Sequence, residues 1–349
     1  MKDHKRKFIL LFIPIFLLQC SSHSIGFPGK SWEFADPADL RMDVVKLDSL
    51  ANLIGGRGCV VKDGYMVKTW GEQSEKSDWL SSVKPIFSTL LFFAVEEGKL
   101  SGVFHKISDL DWKLKPKDQD MTFYHLANMT SGYARPERPG EAWAYNDYAI
   151  QLYHKSLFEK VFQEKPINVL KHPDRLGPLQ FQDDISFGND KPRIYASVRD
   201  FARIALFWCN RGKWKRKQLL PRKYFKYYMK PHTPKDLPQS RSAKTDDYLN
   251  IGSFGGGSDH FTKYGAGIYG FNWWFNDTGR LHPDQLTWPG APKDTFMSIG
   301  AGGNNSVIIP NLNLILVSAK GKWGDMEPGN PENLFNRYIE LLVSAVKGQ

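Results

Sequence analysis

Between Pro85 and Glu97 the chain reads Pro-Ile-Phe-Ser-Thr-Leu-Leu-Phe-Phe-Ala-Val-Glu-Glu, a helical stretch that is apolar almost all the way round. A helix with a single apolar stripe lies on a surface, whereas one without a polar face has to be enclosed. It needs neighbours on every side, and therefore a chain able to supply several packed layers. With 349 residues, 41% of them hydrophobic and 24% charged, this chain meets that need as one large domain or two interleaved ones. Gly98 ends the helix.

The remaining elements suggest what encloses it. Gly58–Trp70 reads as two strands about a Lys62-Asp63-Gly64 turn. Residues 104–195 are short, polar, Pro-punctuated segments with helical stretches such as Asp147–Phe162, and Val198–Asn210 is an amphipathic helix. Strand-like runs follow at Gly270–Phe275, Thr295–Ile299, Ser306–Ile309 and Leu314–Ala319, then a final helix over Asn333–Val346. This order predicts one sheet built from both ends of the chain, with α/β parts at about 36–103 and 196–349 and an inserted, mostly helical lobe at about 104–195.

The first twenty residues differ. Lys2, Lys5, Arg6 and Lys7 precede an apolar run from Phe8 to Leu18 that is too short to span a bilayer comfortably. This is the layout of an export signal. Cys20 follows Leu17-Leu18-Gln19 and precedes two serines, which resembles a bacterial lipobox, although Gln19 stands where a small residue is usual. The expectation is a signal over 1–20, lipid attachment at Cys20, a tether over 21–35, and one domain over 36–349 held on the outer face of a membrane.

The formal net charge is +10, and the basic excess is concentrated in Arg211–Lys230. That stretch reads as a solvated helix–turn face, with attraction to anionic lipid or wall polymer as the sharper alternative. Nucleic acid is an improbable partner behind an export signal. Cys59 and Cys209 sit in apolar contexts and read as buried thiols, with one disulfide left open. The nine histidines show no His-Glu-x-x-His or comparable spacing, so no metal site and no cofactor are expected. Gly252–Gly257 lacks phosphate-loop spacing and reads as a loop at a cleft rim, and Trp273 and Trp274 read as core or cleft wall.

Ser81-Ser82-Val83-Lys84 opens the enclosed helix, placing a hydroxyl and an amine one turn apart on one face. A desolvated lysine can take the proton of a serine, and a helix start favours developing negative charge. The spacing alone is weak, because Ser344-Ala345-Val346-Lys347 repeats it on what reads as an ordinary terminal helix. Trp143-Ala144-Tyr145-Asn146-Asp147 and Ser298-Ile299-Gly300-Ala301-Gly302-Gly303 follow in order. Together with His125–Gly132, Arg199–Arg203, Gly212-Lys213-Trp214 and Tyr269–Trp274, these resemble the three motifs of the β-lactamase and penicillin-binding-protein superfamily. The closer likeness is to its class C-like serine hydrolases, which include esterases, D-aminopeptidases and amide hydrolases.

The resemblance covers roughly residues 33–345 and implies a β-lactamase/transpeptidase-like α/β (α+β) fold, an antiparallel sheet flanked by helices. It implies Ser81 as nucleophile, Lys84 as proton acceptor, Tyr145 as second base or proton shuttle, and the N–H groups of Ser81 and Ala301 as an oxyanion hole. A register with Ala301-Gly302-Gly303 as the third motif stays open. Asp147 replaces the usual Asn, and its carboxylate is expected to keep Lys84 protonated and shift the base role towards Tyr145. Ser298 stands where relatives carry Lys or His, which points away from β-lactams and towards neutral esters or amides, small-molecule or peptide. A catalytically silent envelope-binding protein and a peptidoglycan D-peptidase are the competing readings.

Overall fold

The computed structural model describes residues 25–188, 193–241, 244–257, 263–325 and 332–348. The candidate export signal and Cys20 lie outside them. Seven strands form one antiparallel sheet: β1 (Arg57–Lys62), β2 (Tyr65–Trp70), β3 (Tyr269–Gly270), β4 (Trp273–Phe275), β5 (Phe296–Gly300), β6 (Asn304–Ile309) and β7 (Leu314–Ala319). Their spatial order is β2-β1-β7-β6-β5-β4-β3, so the first hairpin pairs with the last strand, Arg57 opposite Ala319. Both ends of the chain therefore build one sheet, as expected.

The helix beginning at the Ser81 motif is α2 (Lys84–Glu96), after α1 (Val44–Ile54). Every residue from Lys84 to Ala94 is buried. Its two internal hydroxyls are satisfied inside the core: Ser88 Oγ donates to Asn272 Oδ1 (2.8 Å) and Thr89 accepts the Trp208 indole N–H (3.0 Å). Helix α3 (Asp147–Lys155) is capped by Asn146, whose side chain accepts the N–H groups of Tyr148 and Ala149. It continues as a π-helix over Ser156–Phe162, matching the expected single helix. Helix α4 (Val198–Cys209) is capped by Ser197 and packs on β1, β6 and β7. After it come α5 (Arg222–Tyr228) and, at the end, α6 (Leu334–Ser344), which pairs with α1.

Two expectations need correction. Gly270–Phe275 is not one strand but a hairpin, because Phe271 (φ 46°) and Asn272 (φ 71°) both take left-handed conformations between β3 and β4. Paired positive φ values are what a tight hairpin matching the strand twist requires. The inserted lobe is mostly helical, as expected, and carries one small sheet in which Ser186–Phe187 and Ile194–Ala196 join Ser77–Asp78. Finally, residues 25–35 are docked rather than a free tether. Trp32 is buried and donates to Arg199 O (2.8 Å), Phe27 packs edge-on against Trp214, and Phe34 bridges to Met66 on β2. Cys59 and Cys209 are free buried thiols, both pushed up to about 12 by burial.

Two half-buried histidines are held towards the uncharged form. His154 lies against Phe87 and Phe158 with both ring nitrogens unpartnered among the described residues, and burial pulls it down to about 3. Burial pulls His232 down to about 4. Because each folded value lies below the ordinary 6.5, the unfolded chain takes up protons first, and stability falls as pH drops from about 6.5 towards the folded values. The urea midpoint is therefore expected to decline across that window, and to decline less in His154→Phe. An equal decline in the two proteins would remove His154 from the account.

Candidate active site

Ser81 sits in a 3-10 turn, Leu80–Val83, that runs directly into α2. Leu80 takes a left-handed conformation (φ 48°), a strained state for a branched side chain that costs on the order of 1–3 kcal/mol. Asp78 holds it there by accepting the Leu80 N–H (2.9 Å), and Arg193 Nη1 in turn binds the other oxygen of Asp78 (2.9 Å). The same guanidinium donates to Phe254 O, tying the serine turn to the glycine-rich loop. Half-buried Ser81 is thus presented by a turn fixed from outside.

Lys84 is fully buried, with three acceptors around one ammonium. Its Nζ lies 2.9 Å from Ser81 Oγ, 2.8 Å from the Tyr145 hydroxyl and 2.8 Å from Asp147 Oδ1. Three donors thus meet three acceptors. The Phe254 ring closes over the amine at 4.9 Å, and Trp274 stacks on Tyr145. Asp147 is held from two sides: its Oδ2 accepts the Gly256 N–H (2.9 Å), and its own N–H donates to Gly257 O (2.8 Å). The loop 252–257, expected at the cleft rim, therefore supports the buried carboxylate directly. A Cβ on Gly255 would stand 2.6 Å from Asp147 Oδ2. Gly255→Ala is expected to cost on the order of 10–100-fold in kcat/KM by displacing Asp147 and Lys84 together, with the fold retained by circular dichroism. Unchanged kinetics would show that the loop does not set this geometry.

The electrostatics run against the expectation that Asp147 moves the base role to Tyr145. Burial pulls Lys84 below the usual lysine range, and it outweighs the opposing pull of the Asp147 carboxylate. Tyr145 moves the other way: burial first, then Asp147, push its phenol well above the ordinary value. Of the two groups, the amine is the easier to bring to its neutral, proton-accepting form.

The third motif comes to the same place. Strand β5 ends at Gly300, where a Cβ would lie 2.6 Å from Trp79 O and 3.0 Å from Ser82 N, so only glycine allows this approach to the serine turn. This places Gly300, rather than Gly302 or Gly303, against Ser81's turn. Ala301 opens the 3-10 turn Ala301–Gly303, and Ser81 lies near the start of its own turn; neither N–H has an acceptor within a helix. Ser298 is not free to face a ligand, being fully buried with its hydroxyl 2.7 Å from that of Ser306 on β6. The second Ser-x-x-Lys, Ser344–Lys347, is the end of α6, where Ser344 bonds back to Leu341 O and the Lys347 N–H is tied to Arg41 O. Among the described residues no cluster of His, Cys, Asp or Glu could hold a metal ion.

Asp78 and Arg193 belong to the site and were not picked out from the sequence, and Phe254 and Gly256 were placed only in a rim loop, with no contact to Lys84 or Asp147 foreseen. Arg193 lies 115 residues from Asp78 and Gly256 lies 109 from Asp147, and no local spacing records such contacts.

No family model matches the sequence. An uncharacterized protein of Alkalihalophilus pseudofirmus is 24% identical over 236 residues, and the match covers 60% of this chain and 61% of that protein. The chain thus spans about three fifths of the curated relative it matches. Solved structures are similar over most of their length. A candidate beta-lactamase of Bacteroides dorei superposes with TM-score 0.61 at 14% identity, covering 88% of this chain and 100% of that one. A penicillin-binding-protein homologue of Caulobacter crescentus gives 0.59 at 12% identity, covering 90% and 99%. EstCE1, a hydrolase with promiscuous acyltransferase activity, gives 0.58 at 13% identity, covering 87% and 98%. Sheet order, inserted lobe and these superpositions together give the chain the fold of the β-lactamases, penicillin-binding proteins and the serine hydrolases built like them.

Proposed function

We propose that the chain is a serine hydrolase that forms an acyl-enzyme on Ser81 from an ester or amide. The observation that carries this reading is the placement of one buried amine, Lys84, within hydrogen-bonding distance of Ser81, Tyr145 and Asp147 at once. In the neutral state Lys84 keeps two N–H bonds, to Tyr145 and Asp147, and turns its lone pair to the serine. Ser81 Oγ then bonds to the substrate carbonyl carbon while its proton passes to Lys84. The oxyanion is received by the N–H groups of Ser81 and Ala301. Collapse breaks the bond to the leaving group, which takes the proton from Lys84 by way of the Tyr145 hydroxyl. Water repeats the sequence on the acyl-enzyme, releasing the acid and restoring the serine.

A neutral acyl group fits better than a carboxylate-bearing one. The position that would carry a cation holds Ser298, engaged with Ser306, and the nearby Arg193 is paired with Asp78. This favours simple esters and amides over β-lactams and peptide termini. The export-type N-terminus supports placing the enzyme in the cell envelope, anchored through an acylated Cys20.

The test is a panel of ester and amide acyl donors, with a fluorophosphonate as the general probe, read by intact mass. Wild type is expected to gain the mass of one acyl or phosphonyl group, and Ser81→Ala none. Modification of both proteins alike, or of neither by any donor, overturns the reading.

A further inference from the structure

The basic stretch after α4 plays no part in the chemistry, yet it forms a continuous feature. A tight hairpin, Lys213–Trp214 with Lys217–Gln218, turns through Lys215 and Arg216 and leads into α5. Arg211, Lys213, Lys215, Arg216 and Arg222 line a cavity of about 860 Å³. A second cavity, of about 730 Å³, shares Arg211, Arg222 and Pro310 with it, so the two form one groove. Its inner part has an apolar floor of Trp208, Phe225 and Phe296 beneath a rim of Lys226, Lys230 and Lys293. Lys217 and Lys223 have carboxylate partners, Asp174 and Glu96. The exposed Arg211, Lys215, Arg216, Arg222 and Lys226 have none within ion-pair distance among the described residues. The carboxylates in the groove are Asp277, facing Lys293, and Asp294, which accepts the Asn311 N–H and is pushed up by burial.

Two further observations identify what the groove faces. Ile25 and Phe27, where the described chain begins, line the outer cavity, and Phe27 packs edge-on against Trp214 of the basic hairpin (5.4 Å). Cys20 precedes Ile25 by five residues, which span at most about 18 Å when fully extended. An anchor there holds the basic face close to the bilayer. The groove also opens beside Phe296, at the start of β5, whereas the serine turn abuts Gly300 at its end, about 13 Å further along the strand.

We propose that this face, centred on Arg211–Arg222, docks on the anionic phospholipid surface of the membrane that carries the anchor. Phosphate headgroups meet the unpaired cations, and the Ser81 end of β5 points away from the bilayer. Of the reading above it takes only the anchor, not the chemistry at Ser81.

The experiment uses the full chain in vesicles, held there by its own N-terminus, and measures acetylation of individual lysines. On phosphatidylcholine vesicles with about 30% phosphatidylglycerol, Lys213, Lys215 and Lys226 are expected to be labelled about fivefold more slowly than on phosphatidylcholine alone. Lys320, whose N–H donates to Asn304 near the Gly300 end, is expected to label equally on both. The protection should vanish in about 0.5 M salt, where screening acts within a few ångströms, and in the triple variant Lys213→Glu, Arg216→Glu, Arg222→Glu. Equal labelling on both vesicle types, or protection of Lys320 in place of the hairpin, overturns the proposal, as does failure of the chain to associate with the anionic vesicles. Acylation of Ser81 by a soluble donor, measured in the same samples, is expected to be the same in wild type and triple variant. Failure of docking and failure of the hydrolase reading are thereby separated.

Discussion

Replacing Lys84 with methionine is expected to slow acylation of Ser81 by roughly 10²–10⁴-fold, the usual contribution of a positioned general base. The same change strands Asp147 as a buried carboxylate with its ammonium partner gone, which costs about 3–5 kcal/mol of stability. A single variant therefore confounds chemistry with folding. The double variant Lys84→Met, Asp147→Leu separates them, because replacing a buried ion pair by apolar side chains of similar volume is often close to neutral. Urea unfolding of the double variant should return most of the lost stability, while acylation followed by intact mass stays at the level of Lys84→Met. Recovery of acylation along with stability would show that Lys84 shapes the site without taking the serine proton.

Changing Asp147 to asparagine has the second largest expected effect, and on a different quantity. Asp147 is the group that pulls Lys84 back towards the ordinary lysine range against burial. Without its charge Lys84 loses its proton more readily. The proposed reaction needs the neutral amine, so kcat/KM is expected to rise with pH through the Lys84 titration. In Asp147→Asn that rise is expected to move to lower pH, by roughly 1–3 pH units for one full charge at this range. The plateau should fall at the same time, since a weaker base accepts the serine proton less well. The pH profile for a neutral ester checks this. A rise that stays in place, or moves to higher pH, would show that another group limits acylation.

How much could be read from the sequence depends on how local the cause is. The helix α2 was legible because eleven successive buried residues leave no polar face, and β7 because six consecutive residues are buried. Ser81 and Lys84 were legible because one helical turn brings them together. Tyr145 and Gly300 were found through the order of motifs, since nothing within their own segments directs them towards Lys84 or the serine turn. The β3–β4 hairpin was missed because Phe-Asn is not a usual two-residue turn; its left-handed backbone is held by the lobe, with the Phe271 N–H donated to Asn128 and the Asn272 N–H to Ala127 O. The docked segment 25–35 was missed for a similar reason. Its contacts with Arg199 and Arg203 reach across more than 160 residues.

That hairpin also fixes how the parts of the site are joined. Asn272 joins the sheet edge to α2 through Ser88 and to the lobe through Ala127, and Asn128 adds a second stitch one residue away. Sheet and lobe are thereby stitched to each other and to the helix that carries Lys84. The glycine-rich loop adds a further tie, covering Lys84 with Phe254 and holding Asp147 with Gly256. Enclosure and electrostatic setting then share one element: a change that shifts this loop alters both the cover over Lys84 and the carboxylate that sets its charge.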